Sequence, residues 1–216
     1  MEATYTPISA KWPEKVCHGC KTAGRPLYLH VLKPKKATPF STTSGQFPVF
    51  LMRFVLIDRI IDFQPGVRIT AVKSLTMAEE YLADHFPNFP VMPGVLMLEA
   101  MTQASAWLIR LSEDFAHSVI VLKQANNVKY GQFVEPGQQL TVTVEIISQT
   151  DTETKVKAEG KVDGRTTVSG RLILERYNLI DRCPLEATAD EAILKEMRGL
   201  LSVLYQPGPP VVPSMA

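Results

Sequence analysis

The chain has 216 residues, 45% of them hydrophobic and 21% charged, with a formal net charge of +1. That length suits one domain with appendages and a substantial buried core, and the charge does not point to nucleic acid as a partner. Three cysteines are too few for a disulfide framework, and no apolar segment near the N-terminus has the form of a signal peptide, so a cytoplasmic location is expected.

Residues 1–46 read as a basic extension: the first 50 residues carry seven Lys or Arg against Glu2 and Glu14 and show no long periodic run. Cys17 and Cys20 form a CxxC with His30 ten residues on. A structural zinc site needs four ligands, usually in two spaced pairs, and the third cysteine is the distant Cys183. No metal and no cofactor are therefore expected.

The main domain is assigned to residues 47–180. PVFLMRFVLIDRIIDF, a turn at Gln64-Pro65-Gly66 and VRITAVKSL read as two strands. Thr76-Met77-Ala78-Glu79 has the form of a capping box and predicts a short helix through Leu82. A proline-rich loop and a long helix follow. Four further strands are expected beyond the helix, separated by Glu135-Pro136-Gly137, Thr150-Asp151-Thr152 and Asp163-Gly164-Arg165. The alternation of Leu140, Val142, Val144 and Ile146 suits half-buried antiparallel strands. The fold class is α+β, with one long apolar helix wrapped by a curled antiparallel sheet. From residue 181 the composition changes again. Ile193, Met197, Leu200, Leu201 and Leu204 fall at helical spacing and predict an amphipathic helix over 188–205, docked on the domain or on a partner subunit, before a proline-rich tail.

The stretch His85–Gln103, HFPNFPVMPGVLMLEAMTQ, carries the chemistry. Pro87, Pro90 and Pro93 exclude regular structure before Gly94. From Val95 to Ile109 the helix has one charged residue, Glu99, so it should be buried and its charge paired, neutralised or used. Gln103 lies one turn beyond Glu99 and can hydrogen-bond it; Thr102 extends the narrow polar stripe. The first backbone N–H groups, at Gly94 and Val95, are free to donate, and the helix dipole favours negative charge there. A titratable base, a buried acid and free amides converging on one volume suit proton abstraction beside a carbonyl.

This motif resembles the signature of the (3R)-hydroxyacyl-acyl-carrier-protein dehydratases of fatty-acid synthesis. RFVLIDRIIDFQPGVRITAVKSLT before it and VKYGQFVEPGQQLTVTVEI after it are similar as well, so the resemblance covers roughly Phe47–Glu175. It implies the hot-dog fold, with His85 as catalytic histidine, Glu99 as catalytic carboxylate and Gly94 as oxyanion donor. It also implies that the Val91 carbonyl orients His85. The reaction implied is loss of water from a 3-hydroxyacyl thioester on acyl carrier protein. Sites in this family take His and Glu from different subunits, which implies a homodimer; a trimer of dimers stays open. Phe86, Phe89 and Phe133 are candidate liners of an acyl tunnel, with ordinary core packing as the alternative for each. By the same resemblance, Glu rather than Asp at position 99 favours the plain dehydratase branch over the branch that also isomerises the double bond.

Two features depart from the family pattern. The text Lys129–Gln138 lacks the usual basic residues before the Pro-Gly turn, leaving Lys123, Lys129 and Arg171 as substitutes for meeting an acidic carrier protein. The terminal extensions are also long. The competing readings are a hot-dog thioesterase and a non-catalytic acyl-binding protein.

Overall fold

The computed structural model describes residues 54–182 and 187–206. The basic extension, the Cys17–Cys20 pair with His30, Cys183 and the tail beyond Gln206 lie outside the described residues.

Six strands form one antiparallel sheet. They are β1 (Arg59–Gln64), β2 (Arg68–Ser74), β3 (Val119–Tyr130), β4 (Gln139–Gln149), β5 (Glu153–Val162) and β6 (Arg165–Tyr177). Their spatial order is β1-β2-β4-β5-β6-β3, so β1 and β3 are the edges. Three helices complete the described residues: α1 (Tyr81–Asp84), α2 (Gly94–Ser112) and α3 (Ala187–Leu204). A single 3-10 turn, Leu179–Asp181, precedes α3.

The period-two pattern sets which strand face meets the helix. On β5, Thr154, Val156, Ala158, Gly160 and Val162 are buried, while Lys155, Lys157 and Lys161 face out. The β5–β6 connection falls in the expected Asp163-Gly164-Arg165 separator and is a two-residue hairpin, with Arg165 already part of β6. Asp163 (φ 49°) and Gly164 (φ 77°) are both left-handed, which matches the twist of the flanking strands. Helix α2 lies in the concave face against β2, β3, β4, β5 and β6. Ala100, Met101, Ala104, Ser105 and Leu108 are fully buried there, and the small Ala and Ser side chains let the helix approach the sheet closely. Its buried hydroxyls bond back to the preceding turn, Thr102 to the Leu98 carbonyl at 3.0 Å and Ser105 to the Met101 carbonyl at 2.6 Å. The architecture is α+β, the hot-dog arrangement that the sequence predicts.

Two local elements differ from expectation. The first strand of the described residues begins at Arg59, and Pro48 lies outside the described residues; over Phe54–Leu56 the backbone is bonded by the side chain of Gln103 instead of a neighbouring strand. That side chain accepts from the Leu56 amide (2.9 Å) and donates to the Phe54 carbonyl (2.7 Å). The short helix is Tyr81–Asp84, not Thr76–Leu82. The Thr76 hydroxyl reaches only the Ala78 amide (3.3 Å), and Glu79 is drawn to the buried Lys73 ammonium (2.5 Å), so the capping box does not form.

α3 lays Leu194, Met197, Leu200, Leu201 and Leu204 against the domain's own core. Its buried Asp190 fastens the turn before it, accepting from the Ser118 hydroxyl and from the Leu179 and Ile180 amides, both at 2.9 Å. Burial opposes the charge on Asp190. The Ser118 hydroxyl and the Ile180 and Leu179 amides outweigh it and hold the carboxyl below its usual range. A carboxyl whose folded pKa is depressed contributes stability above its unfolded value, about 3.9, and loses it as pH falls through the folded one. Asp190→Ala, which leaves three donors without their acceptor, is therefore expected to lower unfolding free energy by about 2–3 kcal/mol at neutral pH. In urea titrations the gap between parent and variant should narrow below about pH 4. A gap that stays constant with pH would contradict the charged-acceptor role.

Candidate active site

The catalytic candidates lie at the end of the fold where the proline loop enters α2. His85 caps α1, its amide donating to the Tyr81 carbonyl at 3.1 Å. The next residue, Phe86, has φ 50°, a left-handed conformation that non-glycine residues adopt rarely. The His85 and Phe86 rings lie against each other at a tilt of 57°, with centroids 4.5 Å apart. A tight turn follows, closed by the Phe89 amide on the Phe86 carbonyl at 2.7 Å. The loop is then tied across the fold where the Met92 amide donates to the Val134 carbonyl at 2.9 Å. Val91 beside it is buried. Among the described residues no hydrogen bond joins the Val91 carbonyl to the His85 ring.

Pro93 is the N-cap of α2, and its carbonyl takes the amides of both Leu96 (2.9 Å) and Met97 (3.2 Å). The preceding amides, of Gly94 and Val95, have no acceptor among the described residues and stand at the positive end of a 19-residue helix. Val95 is exposed. Gly94 is covered on one side by Tyr130. A Cβ added at position 94 would lie 3.1 Å from the Tyr130 Cε1, so glycine is what lets this ring close over the helix start. Partial burial against the helix start raises the Tyr130 pKa.

Glu99 is half-buried on the next turn. Its Oε1 accepts from Gln103 Nε2 at 3.0 Å. The same amide nitrogen donates to the Phe54 carbonyl, and Gln103 Oε1 accepts from the Leu56 amide. Gln103 thus orients the carboxyl of Glu99 while being fixed from the other side by backbone. The spacing of Glu99 and Gln103 was visible in the text. The Phe54–Leu56 anchor and the Tyr130 cover were not, since both join segments far apart in sequence.

His85 and Glu99 make no hydrogen bond or ion pair with each other among the described residues. The aromatic candidates remain open to solvent in the single chain: Phe86 is 60% exposed, Phe89 49% and Phe133 62%. Phe89 and Phe133 meet edge to face at 5.6 Å. Large apolar rings left this open to solvent, two of them paired, are surface that calls for cover.

Of the three cations named for carrier docking, Lys123 is held by Glu153, which raises its pKa. Lys129 and Arg171 have no ion pair among the described residues.

Comparison with known proteins agrees with this architecture. The model of the FabA-like domain matches residues 51–176. The 3-hydroxyacyl-[acyl-carrier-protein] dehydratase FabZ of Janthinobacterium sp. (strain Marseille) is 37% identical over 133 residues, 60% of this chain and 85% of that protein. Among solved structures, the dehydratase heterocomplex ApeI:P from Xenorhabdus doucetiae superposes with a TM-score of 0.51 at 19% identity, over 62% of this chain and 90% of that one. The third likeness concerns the fold alone; the family model spans more than half of the chain, His85 through Gln103 included, and by it and the Janthinobacterium relative the chain belongs to the FabA-like domain family.

Proposed function

We propose that the protein is a 3-hydroxyacyl-acyl-carrier-protein dehydratase, removing water from (3R)-3-hydroxyacyl thioesters to give trans-2-enoyl thioesters in the synthesis of fatty acids or related lipids. The observation that carries this reading is the half-buried Glu99, oriented by a backbone-anchored Gln103, one helical turn from unpaired amides at Gly94 and Val95. The likeness to the Janthinobacterium dehydratase supports the substrate class.

In this mechanism neutral His85 takes the proton from the carbon between thioester carbonyl and hydroxyl-bearing carbon. The electron pair left behind forms the new double bond, and the hydroxyl departs as water with a proton from Glu99. Charge developing on the thioester oxygen falls on the Gly94 amide, where the helix dipole lowers its energy. His85 and Glu99 exchange protons with solvent to reset.

The acting form is a homodimer, with His85 of one copy facing Glu99 of the other. Two features of the single chain support it. Edge strand β3 is 12 residues long and offers unpaired backbone groups together with exposed Val121 and Tyr130. The exposed rings of Phe86, Phe89 and Phe133 also need cover, and a second copy would close them into an acyl channel. No helix among the described residues is long and apolar enough to cross a membrane, and a cytoplasmic enzyme acting on a soluble carrier fits the low cysteine count.

Incubation with a short trans-2-enoyl thioester is expected to bleach its ultraviolet absorbance as water adds. Thiol release instead would assign a thioesterase, and binding without turnover would assign an acyl-binding protein. His85→Ala and Glu99→Gln are each expected to lower turnover by at least ~100-fold with the fold intact. Mixing the two inactive variants under conditions of subunit exchange should restore about a quarter of the parental activity, because half the dimers are then mixed and one of their two sites is complete. No recovery on mixing would mean that each chain builds its own site.

A further inference from the structure

The face of the sheet turned away from α2 carries a concavity of about 660 Å³, lined by Gln124, Asn126, Asn127, Ile147, Lys155, Arg171 and Ile173. Strand alternation puts it there: Val156, Leu172 and Leu174, the neighbours of these residues along β5 and β6, are fully buried on the helix side.

Its hollow shape has a local cause. The β3–β6 register shifts between Leu122 and Gln124 and again between Asn126 and Lys129, and the β4–β5 register shifts between Ile146 and Ser148. Four of the seven lining residues therefore sit at or inside bulges, which bend a strand and re-aim its side chains. Asn127 itself is left-handed at φ 51°.

The chemistry of the lining is one-sided. It holds two cations and three amides, and no acid. Lys155 and Arg171 have no ion pair among the described residues, and three of the acids on the neighbouring strands are engaged elsewhere. Glu153 is taken by Lys123, Glu175 by Arg182, and Glu159 by Lys161 and Thr166. The amide of Gln124 donates to Asn126 Oδ1 at 2.8 Å, which orders the amide pair and leaves the Asn126 nitrogen free to donate. Ile147, 51% exposed, and Ile173 supply the apolar part of the lining.

We propose that this concavity is a second ligand site, for a small molecule bearing a phosphate or carboxylate next to an apolar group. A guanidinium offers paired donors to such an anion, the ammonium adds a point charge, and the two isoleucines meet the apolar portion. The volume lies in the range of small-molecule pockets. Gln124, Asn126 and Asn127 stand on β3, so the site lies beside the edge assigned above to the homodimer, but none of its residues takes part in the proposed chemistry.

Phenyl phosphate and inorganic phosphate are the probes, with benzoate as the carboxylate arm, titrated calorimetrically into the full chain at about physiological salt, where loose surface attraction is screened. Phenyl phosphate or benzoate should bind saturably, and inorganic phosphate more weakly than phenyl phosphate. Arg171→Gln and Lys155→Gln, both at exposed positions, should each weaken that binding at least ~10-fold, or ~1.4 kcal/mol, with melting temperature unchanged and, for Lys155→Gln, enoyl-thioester hydration unchanged as well. Absence of saturable binding by every probe, or equal affinity in both variants, would overturn the proposal. So would loss of turnover on carrier-bound substrate in Arg171→Gln without any change in probe binding, which would give the patch to the carrier protein instead.

Discussion

Burial of α2 is the constraint on which the rest of the molecule depends. A 19-residue helix whose inner face holds Ala100, Met101, Ala104, Leu108 and Ile109 at almost zero exposure cannot stand in water. A single flat sheet would cover only one side of it. Six antiparallel strands with native twist curl enough to contact it from β2 round to β3. Truncating any of the large side chains in this contact would cost on the order of 2–5 kcal/mol, since neighbours packed on two sides relax poorly into the space left.

The same burial creates the chemical opportunity. A helix that starts at the rim of a fold brings its unpaired amides with it, and Gly94 and Val95 deliver them at the end where the proline loop arrives. Holding a carboxyl in such a place requires a partner that will not compete for the reaction. Gln103 answers this by spending its other hydrogen bonds on the backbone of Phe54 and Leu56, so Glu99 is oriented without being neutralised by a fixed cation. The segment before β1 gives up ladder pairing to make this clamp. Local irregularity in the first strand and order in the site are thus two sides of one set of hydrogen bonds.

Bulges shape the opposite face. The register shifts in β3 and β4 help the sheet bend around the helix and, in the same residues, open the basic concavity outside. Curvature demanded by the core is what places Asn126, Asn127 and Ile147 around Arg171. At the other end of α2, Asp190 secures α3 with a buried carboxyl that prefers its charged form, so this appendage is fastened most firmly at neutral pH.

Much of this was legible in the order of residues. Period-two alternation in Leu140–Ile146 specified half-buried strands, Asp163-Gly164-Arg165 specified a turn between two of them, and the near absence of charge from Val95 to Ile109 specified a buried helix with Glu99 as its one anomaly. These are local properties: propensity, periodicity and turn stereochemistry act over a few residues and need no knowledge of the partner. The tertiary structure alone decided which distant groups meet. Lys73 drew Glu79 out of the capping box at Thr76, Gln103 displaced the first strand's ladder, Tyr130 closed over Gly94, and Ser118 found Asp190. Each of these contacts spans from six to more than seventy residues. Their energies depend on burial and direction, which exist only after the chain has packed; sequence named the groups able to do chemistry, and packing determined which of them share a site.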